Sequence, residues 1–212
     1  DSIYRGGDAE GMQYSFFCRA CLEAMPKLDF VPDIVHCNDW HTAMIPMLAK
    51  TQYTYGFQGQ LRYLFSIHNI FFQGRYNFDL VKWALEVDPG YLTPEFMEMF
   101  GDACYMKAGI LYADLISTVS PTYAKEILTP EYSGGLDGVL RSREHDITGI
   151  LNGIDTVVFN PAKDKYLPHP FGKNDISGKA ECKRALQERL GLNISPDTPI
   201  IAMVTRMTYQ KG

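Results

Sequence analysis

Two hydrophobic periodicities alternate along the chain. Short apolar runs rich in β-branched residues predict strands near 33–37, 63–67, 114–119, 147–151 and 199–205. Apolar positions at helical spacing predict helices at 11–25, 41–51, 94–112, 121–128, 136–144 and 179–190, the last of which ends at Gly191. Strands that alternate with helices predict an α/β fold, in which helices cover both faces of a parallel sheet.

Polar residues follow each predicted strand. NDWH comes after DIVHC, HN after LFSI, SP after ISTV, NGID after GIL, and TRMTYQKG after IAMV. Ligands of open α/β sheets bind outside the carboxyl ends of the strands, so these five strand ends predict one site. Loops are polar in any protein, however, and Ser120-Pro121 is better interpreted as the N-cap and first residue of a helix.

The segment after Asp155 breaks the periodic pattern with several prolines and the run FGKNDISG, which predicts an interdomain connection and a boundary near residue 150. Beyond it lie one predicted helix and the apolar run PIIAMV, with no further strand sequence to pair with that run. We therefore expect a truncated second domain. The start of the chain has neither an initiating Met nor a Gly-rich loop, so we expect it to be internal as well.

Composition narrows the classes of function. The 212 residues are 46% hydrophobic and 21% charged, which is typical of a globular protein. The net charge is -5 and the basic residues are scattered, so neither nucleic acid nor an anionic membrane is an expected partner. No apolar stretch approaches the roughly 20 residues that cross a bilayer, and we expect a cytoplasmic protein.

Five cysteines, an odd number, favour reduced thiols over a disulfide framework. Cys18 and Cys21 form a CxxC pair, but they fall within an apolar helical pattern and no second pair or nearby His completes four zinc ligands. Packing is therefore their expected role.

Several motifs, in order along nearly the whole chain, resemble those of bacterial-type glycogen/starch synthases. They are HCNDWH, SIHN with FQGRY, FGDACYMKAGILYADLISTVSPTYAKEI, GILNGIDTVVFNP, KAECKRAL and TRMTYQKG. The resemblance implies a retaining glycosyltransferase of the GT-B type with two Rossmann-like domains. It transfers glucose from ADP-glucose, or alternatively UDP-glucose, to the end of an α-1,4-glucan.

The resemblance also implies a domain organisation. Residues 1–149 are expected to be the C-terminal portion of the N-terminal, acceptor-side Rossmann-like domain. Residues 150–212 are expected to be the hinge and the truncated start of the nucleotide-sugar-binding domain.

A departing nucleoside diphosphate needs positive charge where negative charge develops. Arg206 and Lys211, five residues apart after a predicted strand, are the candidates for donor phosphate binding, because a guanidinium and an ammonium both bind phosphate oxygens. From the spacing alone, two solvated surface charges are a commoner explanation than phosphate binding. The resemblance to the family makes phosphate binding the favoured explanation. The chain has no Asp-x-Asp triplet, so neither a metal nor another cofactor is expected.

Asp39 and His68 follow adjacent predicted strands, and the resemblance assigns both to the donor glucose as catalytic residues. A carboxylate stabilises an oxocarbenium-like centre, and an imidazole orients a sugar hydroxyl. Asp39 could instead, or in addition, cap the helix that starts near Trp40. Asn152 matches a position of the family that contacts the donor sugar.

Other side chains near these strand ends have commoner explanations. His36 lies within a predicted strand, where a hydrogen-bonded core histidine is expected. Phe71, Phe72 and Tyr76 could stack on an acceptor glucan, but packing is the expected role of aromatics after a strand.

Two other functions remain compatible with this pattern. Another retaining GT-B transferase would share the fold and the Arg-Lys pair, although HCNDWH followed by SIHN disfavours it. A non-catalytic sugar- or nucleotide-binding module is also possible, because a sheet with polar strand ends does not specify chemistry. A dinucleotide-dependent dehydrogenase is disfavoured because no Gly-x-Gly-x-x-Gly follows a strand.

The 212 residues on their own are expected to have no measurable synthase activity. They lack the Lys-Thr-Gly-Gly-Leu loop and the later acidic motif of the family, so much of the nucleotide pocket is missing. The measurement is incorporation of labelled glucose from ADP-glucose into glycogen. Turnover by this chain would contradict the prediction.

Overall fold

The computed structural model describes residues 5–208, and the chain divides into two compact units between Asn152 and Gly153. The helices of the first unit are α1 (Gly7–Lys27), α2 (Met44–Thr51), α3 (Phe78–Leu85), α4 (Tyr105–Tyr112), α5 (Pro121–Glu126) and α6 (Asp137–Ser142). Its strands are β1 (Ile34–Asn38), β2 (Arg62–Ile67), β3 (Arg75–Tyr76), β4 (Glu98–Met99), β5 (Asp102–Cys104), β6 (Leu115–Thr118) and β7 (Ile147–Gly149). The second unit contains helix α7 (Gly178–Arg189).

Four strands form a parallel sheet in the order β1-β2-β6-β7, which confirms the α/β fold class and four of the five predicted strands. The register aligns Cys37, Phe65, Ile116 and Ile147 across the sheet. Since side chains alternate between the faces of a strand, these four residues share the face that carries the hydrophobic core.

Helix α4 packs closely on the core face of the sheet at Gly109. A Cβ atom at this position would lie 2.8 Å from the Phe65 ring and 2.9 Å from the Cβ of Ala43. Only the absence of a side chain allows this approach. Cys18 is also fully buried in the core, as expected of a packing residue, and its Sγ donates to the carbonyl of His41 at 3.2 Å.

The predicted helix at 94–112 is wrong in its first half. Residues 94–97 are a turn and residues 98–104 form the β4-β5 hairpin, whose turn residues Phe100 and Gly101 both have positive φ, at 54° and 86°. The apolar spacing of this segment is compatible with a helix, but the turn interrupts it. Lys107 of α4 fixes the hairpin, because its Nζ donates to the carbonyl of Glu98 at 2.8 Å.

Helix α3 is absent from the predicted elements. Its N-cap is Asn77, whose Oδ1 accepts the amide of Leu80 at 2.8 Å, and Leu80, Val81 and Leu85 are buried. The strands β3, β4 and β5, which pair in the order β3-β5-β4, are also absent from the prediction because two or three residues are too short to show an alternating pattern.

The second unit confirms the predicted helix at 179–190 and its glycine end. Gly191 has φ 64°, its amide donates to the carbonyl of Glu188, and the amide of Leu192 donates to that of Gln187, which is the Schellman arrangement. The strand predicted at 199–205 is wrong. Residues 201–208 contain no strand and Val204 is fully exposed, because no described segment of the second unit pairs with this run.

None of the helices within residues 5–208 combines the length and apolar character needed to cross a bilayer.

Asp114 joins three groups at the amino ends of β2 and β6. Its carboxylate accepts from Lys50 Nζ at 2.8 Å, from Arg62 Nη1 at 3.2 Å and from the amide of Tyr63 at 2.8 Å. Burial by itself would raise the pKa of Asp114, but these hydrogen bonds outweigh burial and hold the pKa below its usual value.

Replacement of Asp114 by Asn is expected to lower the free energy of unfolding by about 2 kcal/mol at neutral pH, because charge-assisted hydrogen bonds are lost. The pKa of Asp114 is depressed in the fold, so its contribution is complete above the unfolded pKa of about 3.9 and disappears as pH falls through the folded value. Denaturant unfolding across this pH range tests both statements. Asp79→Asn, at a carboxylate whose side chain is 97% exposed, is the matched control. A gap between wild type and Asp114→Asn that did not narrow in acid would contradict the prediction.

Candidate active site

The ends of β1 and β2 bring Asp39 and His68 together. The parallel register aligns Asn38 with Ser66, and the Asp39 amide extends this ladder by donating to the Ser66 carbonyl at 2.9 Å. Asp39 therefore leaves β1 just beside the last residues of β2, and His68 is the first residue after β2. The predicted juxtaposition of these two residues at the sheet edge is present in the fold.

The backbone of Asp39 is strained. Its φ is 56° and its ψ is -179°, a combination that glycine adopts readily and other residues avoid. Such a conformation costs about 1–3 kcal/mol and persists only where neighbouring interactions enforce it.

Two hydrogen bonds from the next loop hold the Asp39 side chain. Its Oδ1 accepts the amide of His68 at 2.8 Å and the amide of Asn69 at 3.3 Å. Asp39 also precedes the short 3-10 helix Trp40–Thr42, but its side chain makes no capping hydrogen bond there. The alternative of a side-chain helix cap is therefore wrong, because the carboxylate points instead to the loop between β2 and β3, residues 68–74, which we call the β2 loop.

The ring of His68 is oriented by Asn38. His68 Nε2 lies 2.9 Å from Asn38 Oδ1. An amide oxygen only accepts hydrogen bonds, so Nε2 is the donor of this contact, and in a neutral imidazole with this tautomer Nδ1 has the free lone pair. His68 is exposed, and a solvent-facing ligand hydroxyl can donate to that lone pair.

The loop after His68 turns sharply. Asn69 Oδ1 accepts the amide of Phe71 at 3.1 Å, and the hydroxyl of Tyr123 accepts the amide of Ile70 at 3.1 Å. Ile70 is fully buried, whereas Phe71 and Phe72 are 60% and 57% exposed. The expectation that these two rings pack is wrong, because the turn directs them outward. Tyr76 is buried, which confirms packing for that ring.

A cleft of about 560 Å³ opens beside this loop. Its lining includes Trp40, Phe71, Phe72, Arg75, Glu10 and Asp102. Aromatic faces next to carboxylates and a guanidinium are groups that bind the apolar faces and the hydroxyls of sugars.

Trp40 forms a fixed wall between this cleft and the core. It is buried and stacks on His41 with ring centroids 4.1 Å apart, and Tyr14 meets it edge-on at 5.0 Å. Gly74 has φ 60° and approaches so closely that a Cβ would lie 2.3 Å from the Trp40 ring. Burial lowers the pKa of His41 below its usual value, against the opposing effects of nearby Asp39 and Glu10.

His36 is not a core residue. It is exposed on β1, and its Nε2 lies 2.6 Å from Ser66 Oγ. The expected hydrogen bond is present, but the expected burial is wrong because His36 lies on the sheet face opposite the core residue Cys37.

Of the donor-side candidates, Asn152 belongs to the same compact unit as Asp39 and His68. Asn152 is exposed and follows β7, which β6 separates from β2. Arg206 belongs to the second unit and is exposed, and its carbonyl accepts the amide of Thr208 at 2.9 Å. Lys211 lies outside the described residues. No cluster of three potential metal ligands occurs among residues 5–208.

Sequence reasoning missed three residues that shape this loop: Asn38, Asn69 and Tyr123. Asn38 and Asn69 stand next to Asp39 and His68 in the motifs HCNDWH and SIHN, so their spacing was visible. The sequence did not show that Asn38 pairs with the ring nitrogen of His68 or that Asn69 accepts the amide of Phe71. Tyr123 lies more than fifty residues away, and only the sheet order brings α5 to the β2 loop.

The known proteins that this chain resembles are named glycogen synthase or starch synthase. The family model described as the starch synthase catalytic domain matches residues 1–142. A glycogen synthase from Anoxybacillus flavithermus is 44% identical over 213 residues, covering 100% of the chain and 44% of the relative. A glycogen synthase from Streptococcus equi subsp. equi is 46% identical over 223 residues, covering 99% of the chain and 44% of the relative. The chain thus spans less than half the length of these curated relatives.

A solved structure has the same fold. It is the catalytic domain of starch synthase IV from Arabidopsis thaliana, bound to ADP and acarbose, with a TM-score of 0.80 and 34% sequence identity. The match covers 91% of the chain and 39% of that protein.

Substitution of Asp39 tests the strain at the end of β1. Asp39→Ala and Asp39→Gly both remove the acceptor of the His68 and Asn69 amides, but only glycine relieves the positive φ. The glycine variant is therefore expected to be the more stable of the two by about 1 kcal/mol in denaturant unfolding, after its larger unfolded-state entropy is counted.

The same pair of substitutions at Asp33 is the control. Asp33 is not among the described residues with positive φ, so alanine is expected to be at least as stable as glycine there. An alanine variant at residue 39 that matched or exceeded the glycine variant would contradict the strain argument.

Proposed function

The chain belongs to the starch synthase catalytic domain family, and from this premise we propose that it forms the sugar-facing part of a retaining glucosyltransferase, which moves glucose from ADP-glucose to the non-reducing end of an α-1,4-glucan. Relatives named glycogen synthase, at 44% and 46% identity, support this activity. The observation that carries the proposal is the Asp39 carboxylate, held by the His68 and Asn69 amides at the carboxyl ends of two adjacent parallel strands.

Asp39 and His68 are the proposed catalytic residues. The carboxylate supplies negative charge near the anomeric carbon, where positive charge develops as the glycosidic bond to the diphosphate breaks. His68 Nδ1 accepts a hydrogen bond from a hydroxyl of the glucose and so orients the ring. Their fixed positions matter because a pre-oriented charge needs no rearrangement during the reaction.

The donor diphosphate is proposed to bind Arg206 and Lys211, and the donor sugar to contact Asn152. Positive side chains offset the charge of the departing diphosphate, and no metal is needed for that step. ADP in the starch synthase IV structure supports an adenine nucleotide as the donor, with UDP-glucose as the alternative. In this scheme residues 1–149 belong to the acceptor-side domain, and residues 150–212 to the hinge and the start of the nucleotide-sugar domain.

The acceptor is proposed to approach through the cleft beside the β2 loop. Exposed Phe71 and Phe72 offer flat apolar faces to sugar rings, and Glu10 and Asp102 accept hydroxyl hydrogen bonds. The starch synthase IV structure is bound to acarbose, which supports a carbohydrate as a ligand of this fold.

The reaction is proposed to take place in the cytosol. All five cysteines lie within the described residues and are free thiols, which suits a reducing compartment.

A chimera tests the proposed transfer. This chain replaces the matching segment of the Anoxybacillus flavithermus glycogen synthase, to which it is 44% identical. The chimera is expected to incorporate labelled glucose from ADP-glucose into glycogen. Asp39→Asn keeps the oxygen that accepts the loop amides but removes the charge, so kcat is expected to fall about 10²-fold while the fold is retained.

Asp33→Asn is the matched control, because it makes the same change at an exposed position just before β1. Its kcat is expected to equal that of the unsubstituted chimera. A folded chimera that bound ADP-glucose without turnover would favour the non-catalytic binding module. Equal kcat values for Asp39→Asn and Asp33→Asn would remove Asp39 from the proposed chemistry.

A further inference from the structure

The loop after β2 is anchored by a third element, in addition to β1 and β2. The amides of His68 and Asn69 donate to Asp39 at the end of β1, and the amide of Ile70 donates to the hydroxyl oxygen of Tyr123 on α5 at 3.1 Å. Three consecutive backbone amides of the loop therefore donate hydrogen bonds to side chains from outside the loop. The second of these two side chains, Tyr123, comes from the side of β6, opposite to β1.

The position of Tyr123 is set independently of the loop. Ser120 Oγ caps α5 by accepting the amides of Thr122 and Tyr123 at 3.1 and 3.3 Å, and Pro121 occupies the first turn, as predicted from sequence. The end of β7 presses against this turn, because a Cβ at Gly149 would lie 2.3 Å from the Ser120 carbonyl oxygen. The first turn of α5 is thus a rigid support for the Tyr123 ring.

The hydroxyl acts in its neutral form. Burial raises the pKa of Tyr123, the hydrogen bond from Ile70 opposes the rise, and repulsion from nearby Asp39 adds to it. Because its pKa is raised, the Tyr123 hydroxyl is protonated at neutral pH.

We infer that Tyr123 is a positioning residue for the proposed glucosyl transfer, in which its hydroxyl holds the Ile70 amide so that the His68 ring keeps its direction toward the sugar. The inference rests on the proposed function of His68. Without the hydroxyl, the loop loses its hydrogen bond to α5 and keeps the bonds at the His68 and Asn69 amides and the burial of Ile70, so its backbone shifts about these remaining contacts. A shift of about 1 Å at a reacting group is enough to slow catalysis by up to about 10²-fold.

The chain provides a matched control at the opposite end of β2. The hydroxyl of Tyr63 donates to the carbonyl of Gln58 at 2.6 Å, and Tyr63 is as buried as the core residues around it. Tyr63→Phe therefore removes one hydroxyl and one hydrogen bond, as Tyr123→Phe does, but far from the β2 loop.

The experiment compares these two variants in the chimera and in the 212-residue chain. Tyr123→Phe is expected to lower kcat of the chimera about tenfold with little change in KM for ADP-glucose, whereas Tyr63→Phe leaves kcat unchanged. In the chain itself, amide hydrogen exchange at Ile70 is expected to become about tenfold faster in Tyr123→Phe and to stay unchanged in Tyr63→Phe.

Two outcomes in the chimera would overturn the inference. Equal kcat values for the two variants, or loss of the fold in Tyr123→Phe alone, would make the hydroxyl a stability element only. If the unsubstituted chimera bound donor but did not turn over, the proposed function would fail. Exchange at Ile70 would then still decide separately whether Tyr123 holds the loop. Unchanged exchange in Tyr123→Phe would show that it does not.

Discussion

The pairing of the Asp39 carboxylate with the amides of the β2 loop is the constraint on which the candidate site depends. The backbone of Asp39 adopts a conformation that an aspartate avoids, and the two hydrogen bonds to His68 and Asn69 offset that cost. The same bonds place the start of the loop, and with it the His68 ring and the exposed Phe71 and Phe72 rings. The strained backbone of Asp39 and the orientation of these side chains therefore depend on the same two hydrogen bonds.

The parallel sheet makes this contact possible. Its register sets Asn38 beside Ser66, so that the residues following β1 and β2 emerge side by side. Close packing of Gly109 against Phe65 holds α4 on the core face and leaves little freedom for the strands to slide. The packing of the core therefore fixes the positions of the strands, and a few hydrogen bonds then fix the positions of the site loops relative to the strands.

Sequence periodicity predicted the features that depend on local pattern and failed where tertiary contacts decide. Four strands, α7 with its Gly191 end, and the meeting of Asp39 with His68 followed from alternation and strand order. The first half of the helix predicted at 94–112 failed because the Phe100-Gly101 turn was hidden in an apolar run, and the strand at 199–205 failed because a strand needs a partner. The positive φ of Asp39 and the exposure of Phe71 could not be predicted, since both depend on bonds between distant segments.

The sheet separates two kinds of polar interaction along its strand axes. Asp114 gathers Lys50 and Arg62 at the amino ends of β2 and β6, whereas Asp39 and His68 occupy the carboxyl ends of β1 and β2. Substitutions at one end are therefore insulated from the other by the length of the strands. A library for altered selectivity in the proposed glucosyl transfer belongs at the carboxyl ends, and compensating changes that restore heat resistance belong at the Asp114 end. The two can be evolved in parallel with little epistasis between them.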